Sequence, residues 1–173
     1  MLLGLMRHAM RILVYPRDPA PKYLELRVPD HWHDSVEKGA LGLWRRNGEG
    51  ALHLSFSPHV VQPGLVPYLS EQVKLLLANA PAEWGLGTVF GDEVMLLRVP
   101  KAHAQPLLDN IGTPAPDVVL LVTAQAIGNG RFHKMCYIVH QESVVMASFL
   151  CDEHLRTGAL DEAMRILSSI EIR

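Results

Sequence analysis

The chain has 173 residues, of which 49% are apolar and 20% charged, and its formal net charge is −2. This length suits one domain with a core of its own, and the apolar content excludes intrinsic disorder. The balanced charge argues against a general nucleic-acid or membrane-surface binder, which carries a basic excess.

No apolar stretch reaches the roughly 18 residues of a membrane helix. The run from Met1 to Met6 is broken by Arg7. That is shorter than the roughly 7–15 residues of a secretory apolar region, and the charge is on the wrong side of it. The expectation is a cytoplasmic protein with a flexible leader over residues 1–10 and a single domain over residues 11–173.

In chain order, Ile12 to Tyr15 reads as a short strand, and Pro16, Pro19 and Pro21 then impose an extended connection. Tyr23 to Val28 alternates with period two and stops at Pro29. Leu41–Arg45 and Ala51–Ser57 are strand-like and flank Asn47-Gly48, a strong hairpin signal because both residues tolerate positive φ. A helix is expected next, with Ser70 as N-cap, Glu71 in its first turn, Leu69, Val73, Leu76, Leu77 and Ala80 on one face, and Pro81 as its stop.

Leu86–Phe90 and Glu93–Val99 suggest a second hairpin around Gly91-Asp92, and the proline-rich residues 100–116 a long connection. Asp117–Ile127, Arg131–Val139 and Glu142–Leu150 follow as three long strands. They turn at Gly128-Asn129-Gly130 and at His140-Gln141, connections too short for parallel crossovers. Both faces of these strands are largely apolar, which places them in the middle layer of a sandwich. Leu160, Ala163, Met164, Leu167 and Ile170 mark a closing helix that covers one face, with Asp161 and Glu162 in its first turn. The first helix is left to cover the other. The fold class is therefore α+β, a three-layer α/β/α sandwich with a central, mainly antiparallel sheet.

No motif of nucleophile-elbow, phosphate-loop or zinc-protease type is present. The two cysteines, Cys136 and Cys151, form no CxxC pair and lie in apolar strand contexts, which raise a thiol pKa. If Val139 faces Glu142, Cys136 faces Val145 and Cys151 lies roughly 20 Å further on, beyond disulfide reach. A nucleophilic cysteine assisted by His133 or His154 is accordingly disfavoured. The most suggestive polar cluster is Asp30-His31-Trp32-His33-Asp34. In an extended segment His31 and His33 point the same way, and with His53 or His59 they could chelate a metal. A polar turn that tucks Trp32 into the core accounts for the same residues with fewer assumptions.

Three stretches resemble the PsbP-like superfamily, which includes DcrB-like proteins. They are Leu26-Arg27-Val28-Pro29-Asp30-His31-Trp32, the hairpin from Gly39 to Ser57, and the stretch from Cys136 to Ile172 with its Ile166-Leu167-Ser168-Ser169-Ile170 ending. The resemblance spans roughly residues 23–172, and its motifs mark turns and core positions. It implies the same three-layer sandwich and a mainly non-catalytic role: photosystem accessory subunits, a transport factor that binds a small GTPase, lipoproteins and toxin-holding chaperones. With neither a lipobox cysteine nor a marker of the photosystem branch, the chain is expected to be a protein-binding adaptor or effector chaperone without a cofactor. Trp44, Trp84 and residues 100–116 are candidates for the rim of its binding face. A metal-binding protein or enzyme using His31, His33, His53 and His59 is the first rival. A self-assembling homodimer is the second.

Overall fold

Period-two alternation governs most of this chain, and the computed structural model turns it into sheet. The structure describes residues 9–16, 21–58, 65–79, 89–97, 119–140 and 143–173. The elements are β1 (Met10–Tyr15), β2 (Leu24–Pro29), β3 (Trp32–Glu37), β4 (Ala40–Arg45), β5 (Ala51–Ser57), α1 (Leu65–Ala78), β6 (Val89–Leu97), β7 (Val119–Gly128), β8 (Arg131–His140) and β9 (Ser143–Asp152). A 3₁₀ turn at Glu153–Leu155, helix α2 (Arg156–Ser168) and β10 (Glu171–Ile172) complete the chain. Among the described residues, the strands form a three-stranded sheet, β1-β2-β10, and a seven-stranded sheet, β3-β4-β5-β9-β8-β7-β6. Every pairing is antiparallel. Met10 already lies in β1, and the Ala9 carbonyl accepts from the Asp30 N–H, so the folded chain reaches into the expected leader.

The long meander forms as its sequence predicts. Asn129 and Gly130 both take positive φ, 47° and 73°, the geometry of a two-residue hairpin. At the Asn47-Gly48 turn only Gly48 has positive φ, and the loop is wider, closed by Arg45 N–H to Gly50 O at 3.1 Å. The β8–β9 register differs from expectation by two residues: Val139 faces Val144, and His140, expected in the turn, is paired with Ser143. A shift of two keeps every side chain on its expected face.

Other expectations are corrected. The polar cluster at Asp30 is only half a turn: Asp30 and His31 turn the chain, and Trp32 opens strand β3. Gly91-Asp92 is not a hairpin tip. It is a bulge inside the single strand β6, where the register with β7 shifts between Phe90 and Glu93. Helix α1 begins at Leu65, so Ser70 is interior and not the N-cap. Pro67 does not prevent this, because first-turn N–H groups have no partner within the helix. Leu69, Val73 and Leu77 are buried as expected, whereas Leu76 is exposed. Helix α2 begins at Arg156, which leaves Asp161 and Glu162 beyond its first turn. The Ala80 and Pro81 helix stop, residues 100–116 and the connection at Pro19 lie outside the described residues.

The two faces of the large sheet are buried differently. Trp32, Leu41, Leu43, Leu52, Leu54, Phe132, Ile138, Val145 and Phe149 belong to one core shared with Ala159, Ala163, Ile166 and Leu167 of α2. The inner row of the small sheet (Leu13, Tyr15, Leu24, Leu26 and Val28) joins that core. Helix α1 lies over β6, β7 and β8 on the opposite face, above Val122, Ala124 and Val139. At the outer edge of β3, Arg11 donates to Trp32 O at 2.8 Å and pairs with Asp34 at 2.8 Å, while Tyr15 donates to Gly39 O. Side chains of β1 thus occupy acceptor groups that an open sheet edge would leave bare.

Candidate functional site: the open half of the sheet

Helix α1 sits over β6–β8, and among the described residues no element covers the same face of β3, β4 and β5. Alternation decides which residues point there. In β4, Leu41 and Leu43 are buried in the core, so Ala40, Gly42 and Trp44 face outward. Cross-strand register then aligns two rows across five strands. The first is His33–Trp44–Ala51–Leu150–His133, and the second is Ser35–Gly42–His53–Ser148–Met135. A third, shorter row runs Ser55–Met146–Tyr137.

Neither of the two long rows contains Asp, Glu, Lys or Arg. The nearest such residues beyond the rows are Glu37 at one end, and Arg46 and the Arg131–Asp152 pair at the other. Trp44 is 37% exposed and its ring lies 5.7 Å from that of His33. His33 and His53 are exposed, and Ser35, Gly42, Ser55 and Ser148 are half-buried. An aromatic, imidazole and hydroxyl surface with its Asp, Glu and Arg residues at the margin has the layout of a protein-interface core and rim.

At the border with the helix-covered half, His133 is only 4% exposed and its Nε2 lies 2.7 Å from the Ser148 Oγ. Burial, with a smaller contribution from nearby His53, lowers the His133 pKa to about 4. A serine–histidine contact invites a nucleophile reading, but the geometry is against it. Strand β9 is hydrogen-bonded to β5 and β8 along both edges, so its N–H groups serve the ladder and offer no oxyanion hole. A general base also works best with a pKa near the operating pH, and His133 is far below it.

The histidines singled out in the sequence do not form one group. His33 and His53 share the open face. His31 does not point with His33, because it lies in the turn: its Nε2 is 2.9 Å from Glu162 Oε2 on α2, on the other side of the sheet. His59 and Trp84 lie outside the described residues. Among the described residues no three His, Cys, Asp or Glu side chains are grouped to hold a metal ion.

Glu162 is the centre of a separate cluster that the sequence analysis missed, having treated it only as a helix-dipole charge. Its Oε2 accepts from Trp32 Nε1 at 2.8 Å and lies 3.5 Å from Arg45 Nε, which pairs in turn with Glu49 at 2.8 Å. Burial alone would raise the Glu162 pKa, but the hydrogen bonds from Trp32 and His31 and the Arg45 charge outweigh it and lower it. Every partner is committed to packing α2 on the sheet, so this is a clamp. The cysteines are equally committed. Cys136 is buried beside Thr123, on the face opposite His133, and burial raises its pKa. Burial and the neighbouring Asp152 push Cys151 up to about 11 despite Arg156. Both thiols are free and buried.

No protein-family model and no curated protein matches the chain. Among solved structures, the chain is similar to the solution structure of cyanobacterial PsbP (CyanoP) from Synechocystis sp. PCC 6803. The TM-score is 0.61 at 10% identity, over 100% of this chain and 98% of that one. A structure from Bacteroides thetaiotaomicron VPI-5482 aligns at a TM-score of 0.45 and 9% identity, over 87% of this chain and 45% of that one, a likeness too slight to argue from. The chain has a PsbP-like fold. At 10% identity the likeness ends with the fold.

Proposed function

We propose that this protein is a non-catalytic, cytoplasmic protein-binding module, an adaptor or effector chaperone, and that it binds its partner on the open half of the large sheet. The observation that carries the proposal is the double row around Trp44, which holds no Asp, Glu, Lys or Arg. An exposed sheet face normally alternates polar and charged side chains against the buried ones. Here 20% of the chain is Asp, Glu, Lys or Arg, yet neither row contains one of them. Depletion of Lys, Glu and Asp with retention of Trp and Met follows the compositional bias of an interface core. Aromatic residues at such centres carry most of the binding energy.

The test is a comparative capture from native lysate. The bait is wild type, a Trp44→Ser/His53→Ser pair, or a Leu75→Ser control on the exposed face of α1. A stoichiometric partner retained by wild type and control, and lost at least tenfold by the double variant, is the expected result. A partner retained equally by all three would move the binding face elsewhere.

A further inference from the structure

Gly42 stands in the middle of β4, and nothing among the described residues requires a glycine there. Its φ is not positive, so an L side chain would not be strained. The β4 register runs unbroken through it on both sides, so it marks no bulge. A Cβ built on it would meet Ser35 Oγ at 3.6 Å, His53 Cδ2 at 3.7 Å and Ser35 O at 3.8 Å, all ordinary contact distances. Gly50 is the tighter case: a Cβ there would come within 3.1 Å of the Phe149 ring, which would have to give way. Glycine inside a strand weakens it, and it commonly marks a bulge, a sharp bend or a place where a ligand comes close to the backbone. The local geometry removes the first two.

What remains is a bare strip of backbone one side chain wide. Ser35 bounds it on β3 and the His53 imidazole leans over it from β5. Trp44, on the same face two residues along, and its neighbour His33 stand at its end. Resting on the binding function proposed above, we infer that this strip is the seat of an uncharged aromatic side chain carried by the partner protein. The ring lies on the Gly42 backbone between Ser35 and His53, with its edge toward the Trp44 indole.

Three features select that occupant. Aromatic rings pack over strand glycines, covering backbone that no side chain shields. Tilted or edge-on aromatic pairs are favoured over face-to-face stacks, and Trp44 and His33 already meet at a 31° tilt. With no Asp, Glu, Lys or Arg in either row, a charged side chain would be desolvated there without a permanent counter-charge, whereas a ring loses nothing.

The experiment uses the full chain labelled with ¹⁵N and three short blocked peptides: acetyl-Gly-Phe-Gly-amide, acetyl-Gly-Leu-Gly-amide and acetyl-Gly-Glu-Gly-amide. Amide shifts are followed in wild type and in Gly42→Val. Saturable shifts are expected from the phenylalanine peptide at Ser35, Gly42, Trp44 and His53, at least fivefold weaker from the leucine peptide and absent with the glutamate one. Gly42→Val, which fills the strip, should weaken the phenylalanine response at least tenfold. Should the valine variant fail to fold, Gly42→Ala, whose methyl fits at contact distance, should weaken it two- to fivefold. No localised shift at millimolar peptide, or a response unchanged by either variant, overturns the inference. A negative result here, with a partner still captured through Trp44 and His53, would remove the aromatic seat and leave the binding face standing.

Discussion

His133 is the residue whose chemistry departs furthest from its ordinary state. It is nearly fully buried, bonded to Ser148, and held neutral down to about pH 4. In the unfolded chain an imidazole takes up its proton near pH 6.5. Between those values the unfolded state binds the extra proton, so stability rises with pH and is lost as pH falls from about 6.5 toward 4. The full displacement corresponds to at most about 3 kcal/mol. Urea unfolding at stepped pH should therefore show wild type losing stability through this window. His133→Gln, which has no proton to gain, should lose up to about 3 kcal/mol less across it. Parallel curves for the two proteins would show that His133 is charged in the fold. Nothing in the sequence around Arg131-Phe132-His133-Lys134 distinguishes this histidine from a solvated one. Its burial comes from tertiary packing, and Ser148, to which it is bonded, lies 15 residues away on β9. Trp44 is the opposite case: the alternation of Leu41, Leu43 and Trp44 is enough to place its ring outside.

At the scale of elements, local pattern succeeded where one face was buried and failed where tertiary partners intervened. The meander, the Gly39–Ser57 hairpin and both helices were legible because apolar residues recur at period two or 3.6. Strand β3 was not, because it is an edge strand whose core-facing Asp34 is neutralised by Arg11 from a different sheet. The β6 bulge was mistaken for a turn because Gly-Asp serves both. The clamp on α2 was invisible for the same reason as Asp34: Glu162 lies 130 residues from Trp32 and 131 from His31. Removing Glu162 takes the acceptor from the Trp32 indole N–H and leaves Arg45 with Glu49 alone in a half-buried site. Glu162→Ala should then cost about 2–3 kcal/mol in denaturant unfolding. Glu162→Gln should cost less, since its amide oxygen can still accept from Trp32. Asp161→Ala, one residue away and exposed, should stay within about 0.5 kcal/mol. Because the Glu162 pKa is lowered in the fold, its contribution is present above the ordinary carboxylate range and disappears as pH falls below it. A Glu162→Ala cost no larger than that of Asp161→Ala would mean that α2 is held by its apolar stripe alone.

For the molecule as a whole, the two thiols report on how cooperatively the layers hold together. In the observed register Cys136 faces Ala147 and Cys151 faces Phe132, so four residues of β9, roughly 13 Å of strand, separate the cysteine positions. The expected register was off by two, yet it excluded the disulfide on the same ground, since the separation still exceeds the roughly 7 Å limit. Both thiols point into the single core made by α2, the small sheet and one face of the large one. A reagent can reach them only when that core opens, and their raised pKa values keep them protonated and unreactive until it does. Native protein should accordingly leave both thiols unmodified by a disulfide-exchange reagent over hours at pH 8, and denatured protein should titrate two. In graded urea, Cys136 and Cys151 should become reactive together, at rates that follow global stability, because no smaller unit exposes one without the other. Reducing agent should leave the melting temperature unchanged. Earlier labelling of Cys151 alone would divide the core, with α2 and the 3₁₀ turn lifting away from β9 while the meander stays closed over Cys136.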